Sequence, residues 1–301
     1  MIARSDNLTG ALLMMAAMVS FVLNDTLMKV LSADVPLYQL LFLRGILTTL
    51  AVGVMAWRMK ALRPRLARRD MMLSFWRVLA EIAAAYFFLT ALFNMPLANI
   101  TAILQAMPLT ITLAAALVFG EAIGWRRISA IIAGFIGVML IVRPGTEGFN
   151  IYSLYGLAAV ACITVRDITT RKLSRETPSM FVTFLTSVAI MVVFGLASLG
   201  GEWVPMSPRS YGLITVAAIF VIGGYLFSIM VMRVGEIGYV APFRYTGLIF
   251  ALILGYLAFD DWPDPITLTG AVIVVGSGLF TLYREAATGP KKRALRGLHP
   301  R

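Results

Sequence analysis

From its N-terminus the chain alternates long apolar runs with short polar breaks, and the runs are too continuous to be one face of a soluble helix. Stretches such as LTGALLMMAAMVSFVL (8–23) and ISAIIAGFIGVMLIV (128–142) carry no polar stripe at helical spacing, which the surface helix of a water-soluble domain needs. Roughly 20 apolar residues cross the hydrocarbon of a bilayer. Ten segments approach that length: 9–31, 37–57, 73–93, 97–119, 125–142, 153–173, 179–199, 211–232, 238–259 and 265–283. Main-chain polar groups in lipid must be satisfied within the segment, so the pattern predicts an all-α integral membrane protein of ten transmembrane helices.

Composition and charge sharpen this picture. Hydrophobic residues make up 59% of the 301 and charged residues 14%, against roughly 45–50% and 25% in soluble domains. The net charge of +11 would suit a nucleic-acid binder, which needs its cations on one presented face. Here they fall in alternate loops instead. One side collects Arg4, Arg58, Lys60, Arg63, Arg65, Arg68, Arg69, Arg126, Arg127, Arg171, Lys172, Arg175, Arg233 and the tail from Arg284, and the other has Arg143 and Arg209. That asymmetry places both termini in the cytoplasm of a bacterial-type inner membrane, with lipid rather than nucleic acid as the surrounding partner. The first apolar stretch follows Asp6 and runs into Asn24-Asp25 without a cleavage site, so it reads as a permanent span. The single cysteine, Cys162, lies within a span and excludes an intramolecular disulfide.

The chain also repeats itself. Shifted so that Asn24 falls on Arg166, NDTLMKVLSADVP (24–36) lies on RDITTRKLSRETP (166–178), matching Asp25 with Asp167, Lys29 with Arg171, Ser32 with Ser174 and Pro36 with Pro178. Almost the same shift lays Phe119, Glu121 and Ser129 on Phe259, Asp261 and Thr269. Each unit holds five spans, an odd number, so the second enters the membrane from the opposite side and the two form inverted repeats. Secondary transporters are commonly built this way, with the substrate site near the midplane between the repeats. The units run 8–144 and 152–285, followed by a basic cytoplasmic tail at 286–301.

An ordered set of features resembles the EamA-type members of the drug/metabolite transporter superfamily. The set comprises Pro108 and FGE (119–121) in the fourth span, FDD (259–261) in the ninth, small-residue fifth and tenth spans, and RDxxxRKL at 166–173. The resemblance implies ten spans in two similar halves and, within the family, a likeness to bacterial exporters of aromatic and other amino acids. The halves depart from a tidy duplication, since Pro108 aligns with Leu248 while Pro242 falls earlier. That predicts kinks at different heights.

Ionisable groups within spans are costly and mark candidate sites. They are Lys29, Arg44, Arg77, Arg166 and Arg244 against Asp25, Glu81 and Asp167. Lys29, near a span end, can snorkel to the headgroups. Arg77 and Glu81, one helical turn apart, share a face as a structural ion pair or a binding element. Trp76 beside them is a cavity contact or part of an interfacial belt. Thr101, Gln105, Pro108 and Thr112 form a polar stripe on the fourth span. Pro108 and Pro242 each remove a main-chain donor and kink their helix. Arg244 suits a substrate carboxylate. Asn24-Asp25 and Arg166-Asp167 occupy repeat-equivalent places; Asn24, Arg166 and Asp167 are cavity candidates, and Asp25 and Asp167 are candidates for proton coupling. Adjacent residues point about 100° apart, so both members of a pair do not face one cavity fully. Tyr86, Tyr225 and Tyr245 offer stacking or hydrogen bonds to an amphipathic substrate.

Little points to catalysis. DDWPD (260–264) fits the aspartate-rich pattern that holds magnesium diphosphate in prenyl transfer, but it sits in an external loop without an aspartate-rich partner. The lone histidine, His299, is in the tail and no P-loop occurs. The expectation is therefore no enzyme, no cofactor and no metal. It is a secondary transporter exporting amino acids or similar small amphipathic metabolites by alternating access, as monomer or homodimer. The excess of span cations keeps an anionic metabolite such as a sugar phosphate or riboflavin-like compound open. A non-transporting membrane receptor or an intramembrane enzyme also stays open, although extended soluble segments would have favoured a receptor.

Overall fold

In lipid an apolar run has no stable alternative to helix, and the computed structural model shows helix throughout these runs. It describes residues 2–62, 67–120, 124–146, 149–174, 176–234 and 237–296. Ten spans result. Span 1 is Ile2–Leu31, span 2 Leu37–Arg58, span 3 Arg68–Asn94, span 4 the two segments Leu97–Leu104 and Met107–Phe119, and span 5 Trp125–Val142. Span 6 is Tyr152–Lys172, span 7 Ser179–Ser198, span 8 Pro208–Val234 and span 10 Pro265–Arg296; span 9 runs through Ile237–Val240, Ala241–Tyr245 and Thr246–Phe259. Among the described residues nine of these helices are long and apolar enough to cross a membrane. Span 6 falls short because Arg166, Asp167, Arg171 and Lys172 crowd its last two turns. The charge is tolerable because span 3, which it packs against along its length, supplies partners.

The helix pairing carries the symmetry. Span 1 packs on span 8, span 3 on span 6, span 2 on span 7, span 5 on span 10 and span 4 on span 9. Replace each span by its counterpart five places away and the set returns to itself, as a two-fold axis between inverted units requires. Loop contacts agree. Gln39 bonds the main chain of Val204, Asn150 that of Asn94, and Arg143 pairs with Asp264 on the external face. Asp70 bonds Ser174 and Thr177 on the cytoplasmic face.

Spans 5 and 10 form the tightest seam. A Cβ on Gly137 would lie 2.8 Å from the Gly270 carbonyl oxygen, and one on Gly270 would lie 2.6 Å from that of Gly137. Only glycine lets these backbones approach so closely, so Gly137 and Gly270 meet each other within the chain.

The breaks in spans 4 and 9 correct one expectation. The prolines differ in height, but α-helix resumes at Met107 in one span and at Thr246 in the other, and these two are near-counterparts under the shift that superposes the halves. The breaks therefore fall at matching levels. Pro108 sits in the first turn of its segment, where its missing N–H costs nothing, so the break precedes it. Pro242 lies within a 3-10 turn that ends at Tyr245. In both, i→i+3 bonds such as Leu109 N–H to the Ala106 carbonyl (3.0 Å) keep the main chain paired.

Candidate functional site

Helical spacing puts Arg77 and Glu81 one turn apart on the face of span 3 that meets span 6. Arg166 reaches across and donates through Nη1 to both Glu81 oxygens, at 3.1 and 3.3 Å, while its Nε donates to Asp167 Oδ1 at 2.8 Å. The long guanidinium stem thus overcomes the angular divergence of neighbouring residues. Arg77 lies 4.0 Å from Glu81, donates to Thr170 Oγ1 at 2.9 Å, and donates to Thr186 on span 7. Glu81 is therefore shared by two guanidiniums, near the middle of its helix.

The first repeat builds the equivalent cluster differently. Asn24 is almost fully buried, accepts from Arg44 Nη1 at 3.1 Å through Oδ1, and donates through Nδ2 to Asp25 Oδ1 at 2.9 Å. The amide stands between cation and carboxylate, satisfying both.

Tyr225 joins the two clusters. Its ring lies edge-on to Phe21 at 5.5 Å, and it interacts electrostatically with Glu81, Arg166, Arg44 and Arg77. It is nevertheless 46% exposed. Its place among charged side chains of both repeats makes it a candidate lining residue. Arg244 approaches from span 9 and interacts electrostatically with Asp167 and Arg166. Among the described residues its side chain makes no hydrogen bond or ion pair, unlike those of the other three span arginines.

Different chemistry lies on either side of this charged layer. Toward the exterior, Tyr86 stacks on Tyr38 with ring centroids 6.4 Å apart, meets Tyr155 at the same separation, and Tyr38 stacks on Phe194 at 6.2 Å. Toward the cytoplasm, a cleft of about 280 Å³ reaches Arg77 past the hydroxyls of Thr170, Ser174, Thr177 and Thr183.

Among the described residues, the side chains of the other sequence candidates make no hydrogen bond to the charged groups. Trp76 is half exposed and meets Phe75 edge-on, on the face of span 3 that also presents Met72 and Leu79. Thr101 and Thr112 donate to their own helix, at the Leu97 and Pro108 carbonyls, and Gln105 is buried at the span 4 break. The residue that ties this helix across is Thr110, 2.8 Å from Thr164 on span 6. Tyr245 points at span 10, where Gly278 leaves room for its hydroxyl, beside an apolar groove of about 560 Å³ between spans 9 and 10.

The sequence marks Arg44 as a span charge without giving it a place in the site, and it does not single out Thr170, Thr186, Tyr38 or Tyr155. One signal was available, since the shift that lays Asp25 on Asp167 also lays Arg44 on Thr186. In DDWPD, Asp264 caps span 10, accepting from the main-chain N–H of Ile266 and Thr267 at 2.9 and 3.1 Å, and pairs with Arg143. Burial pushes its carboxyl up, but the Thr267 and Arg143 donors outweigh that and hold it at about 2. Among the described residues no group of three potential metal ligands occurs. Glu121, the acid of FGE, lies outside the described residues.

Comparison with known proteins gives this architecture relatives. A family model described as the EamA-like transporter family matches residues 8–143 and again 150–283. The chain is 28% identical over 195 residues to an S-adenosylmethionine uptake transporter of Rickettsia prowazekii, a match covering 63% of this chain and 64% of the relative. It is 26% identical over 275 residues to a pseudopaline exporter of Pseudomonas aeruginosa, covering 89% and 93%. It is 24% identical over 219 residues to a riboflavin transporter of Brucella anthropi, covering 70% and 76%. A solved crystal structure at 20% identity shares the fold with a TM-score of 0.62 over 95% of this chain and 98% of the other. A twice-matched family model spanning nearly every helix, over two inverted units that enclose a charged layer, leads to one assignment: the chain is a multi-pass membrane protein belonging to the EamA-like transporter family.

Proposed function

We propose that this transporter carries amino acids or small amphipathic metabolites that bear an amino-acid headgroup, by alternating access around the charged layer. Arg244 is the observation that carries the reading. The other span arginines are engaged by Asn24, Thr170, Thr186, Glu81 and Asp167, whereas Arg244 keeps its planar fork of donors for a carboxylate. Asp167 acts electrostatically on Arg244 and Arg166 joins it to Glu81, so these carboxylates are the counter-charges offered to an ammonium. Tyr225 and Phe21 offer ring surface to an apolar side chain.

The named substrates of the relatives support this only in outline. S-adenosylmethionine ends in an α-amino acid, while riboflavin does not. Both uptake and export occur among the relatives. Export remains our expected direction, although alternating access is reversible and net flux follows gradients and state affinities. Four span arginines against three carboxylates favour an anionic metabolite as the second reading.

Counterflow in proteoliposomes preloaded with single amino acids is the test, with Arg244→Ala alongside. Saturable exchange in the wild type, reduced at least about tenfold in the variant as expected for a lost carboxylate contact, supports the proposal. A folded wild type without amino-acid exchange that counterflows sugar phosphates or riboflavin overturns it in favour of the second reading.

A further inference from the structure

Spans 4 and 9 are each cut near mid-membrane, leaving the arms Met107–Phe119 and Thr246–Phe259 beyond the breaks. Each arm ends in a phenylalanine, and each ring holds a cation from the other repeat. Lys29 Nζ of span 1 lies 5.2 Å from the centre of the Phe259 ring on the external face. Arg171 Cζ of span 6 lies 4.8 Å from that of Phe119 on the cytoplasmic face, with Lys172 Nζ at 5.7 Å.

The two contacts are copies of one another. Lys29 and Arg171 are counterparts under the shift that lays Asp25 on Asp167, and Phe119 and Phe259 are counterparts in the FGE and FDD segments. One contact ties span 1 to span 9 and the other ties span 6 to span 4, which the inverted axis interchanges. Surroundings differ in detail. Lys29 also donates to the Leu92 carbonyl at 3.3 Å and to that of Met95, and Asp261 acts on it electrostatically. The cytoplasmic contact has the second cation, Lys172.

We propose that Lys29–Phe259 and Arg171–Phe119 are the paired latches of the transport cycle, each holding the tip of a broken-helix arm and opening one membrane face when released. A cation over an aromatic ring is a weak contact that loses little geometry on re-forming. It therefore suits a joint made and broken in every cycle, where a desolvated ion pair would not. The hinge of each arm is its break, a two-residue turn in span 4 and a 3-10 turn in span 9, whose i→i+3 bonds tolerate bending better than continuous α-helix. This inference is independent of the substrate.

The experiment uses full-length protein in a Cys162→Ser background, labelled with a membrane-impermeant maleimide in right-side-out and inside-out vesicles. One reporter is Tyr38→Cys at the external aromatic cluster and the other is Thr183→Cys in the cytoplasmic cleft. Phe259→Leu is expected to raise external labelling relative to cytoplasmic labelling by about threefold, and Phe119→Leu to lower that ratio by a similar factor, in line with loss of one cation–π contact. Phe259→Tyr and Phe119→Tyr, which keep the ring, restore the wild-type ratio. Shifts of the same sign in both leucine variants, no shift in either, or failure of the tyrosine variants to restore the ratio would each overturn the proposal. No transported compound is needed, so a wrong substrate class leaves this result intact.

Discussion

Asn24-Asp25 and Arg166-Asp167 occupy the same place in two copies of one unit, yet they handle charge in opposite ways. In the second repeat the residue before the aspartate is itself the cation, and it binds Asp167 and Glu81 directly. In the first an amide takes that place and the cation comes from span 2, so Asp25 receives a neutral N–H while Arg44 ends on the amide oxygen. One cluster is locked by ion pairs and the other is a relay of hydrogen bonds through a neutral group. A duplicated fold has thus kept its backbone symmetry and let its charges diverge.

Glu81→Gln should separate the two halves most sharply. It strips the shared counter-charge from Arg77 and Arg166, and loss of one member of a buried ion pair costs about 3–5 kcal/mol. With the two arginine side chains 15% and 25% exposed, the lower end of that range applies. The expected result is abolished counterflow and a melting temperature in detergent lowered by several degrees. Asn24→Ala removes the amide's bonds to Arg44 and Asp25 but no ion pair; it should cost about 1.5–3 kcal/mol, less than Glu81→Gln, and leave the protein folded and partly active. Equal losses from both variants would erase the proposed difference between the halves.

The same contrast distinguishes the aspartates as proton carriers. Asp25 has a neutral hydrogen-bond partner, with Arg44 held off by Asn24 Oδ1, whereas Asp167 is bonded directly by a guanidinium. Facing Asp25 are Asn24 and Arg44, and Tyr225 acts in turn on Arg44. Asp25→Asn is therefore expected to flatten the dependence of transport on external pH, while Asp167→Asn, which breaks the contact with Arg166, is expected to lower the rate. Flux measured against a pH series with both variants decides the point, and an unchanged profile in Asp25→Asn removes it from any coupling role.

The spans were legible because an apolar run of that length has only one outcome in lipid, and because Pro36, Pro96, Pro178 and Pro265 mark where helices begin. The repeat was legible from two anchors at almost one offset. What remained hidden needed partners. Thr170 and Thr186 look like threonines that bond their own helix, and they do so, at the Arg166 and Val182 carbonyls, while their oxygens also accept from Arg77. Nothing in a single span displays that second role. Tyr38 and Tyr155 sit at span ends, where a tyrosine ordinarily belongs to the interfacial belt; only the three-dimensional fold stacks them with Tyr86. The matching height of the two breaks was obscured because the eye goes to the prolines, whereas the main chain breaks where its hydrogen bonds tighten.

The smallest effect lies outside the membrane, at the external joint between spans 5 and 10. Asp264 is depressed to about 2 by the Thr267 and Arg143 donors despite its burial, and an ordinary aspartate titrates near about 3.9. A folded-state value below the unfolded one means that its contribution is fully present above about pH 4 and is lost as pH falls toward about 2. The side chain is 46% exposed, so solvent screening limits the ion-pair share, and the helix cap adds to it; together they are worth about 1 kcal/mol. Asp264→Asn can still cap the helix but loses the charge. Its melting temperature should fall by a degree or two at pH 7, and the gap from wild type should close as the pH is lowered toward 2. The charge clusters at mid-membrane should be untouched, so counterflow at pH 7 is expected to stay within about twofold of wild type. A larger loss of flux would mean that the seam between spans 5 and 10 moves during transport, and that the rigid part of the molecule lies elsewhere.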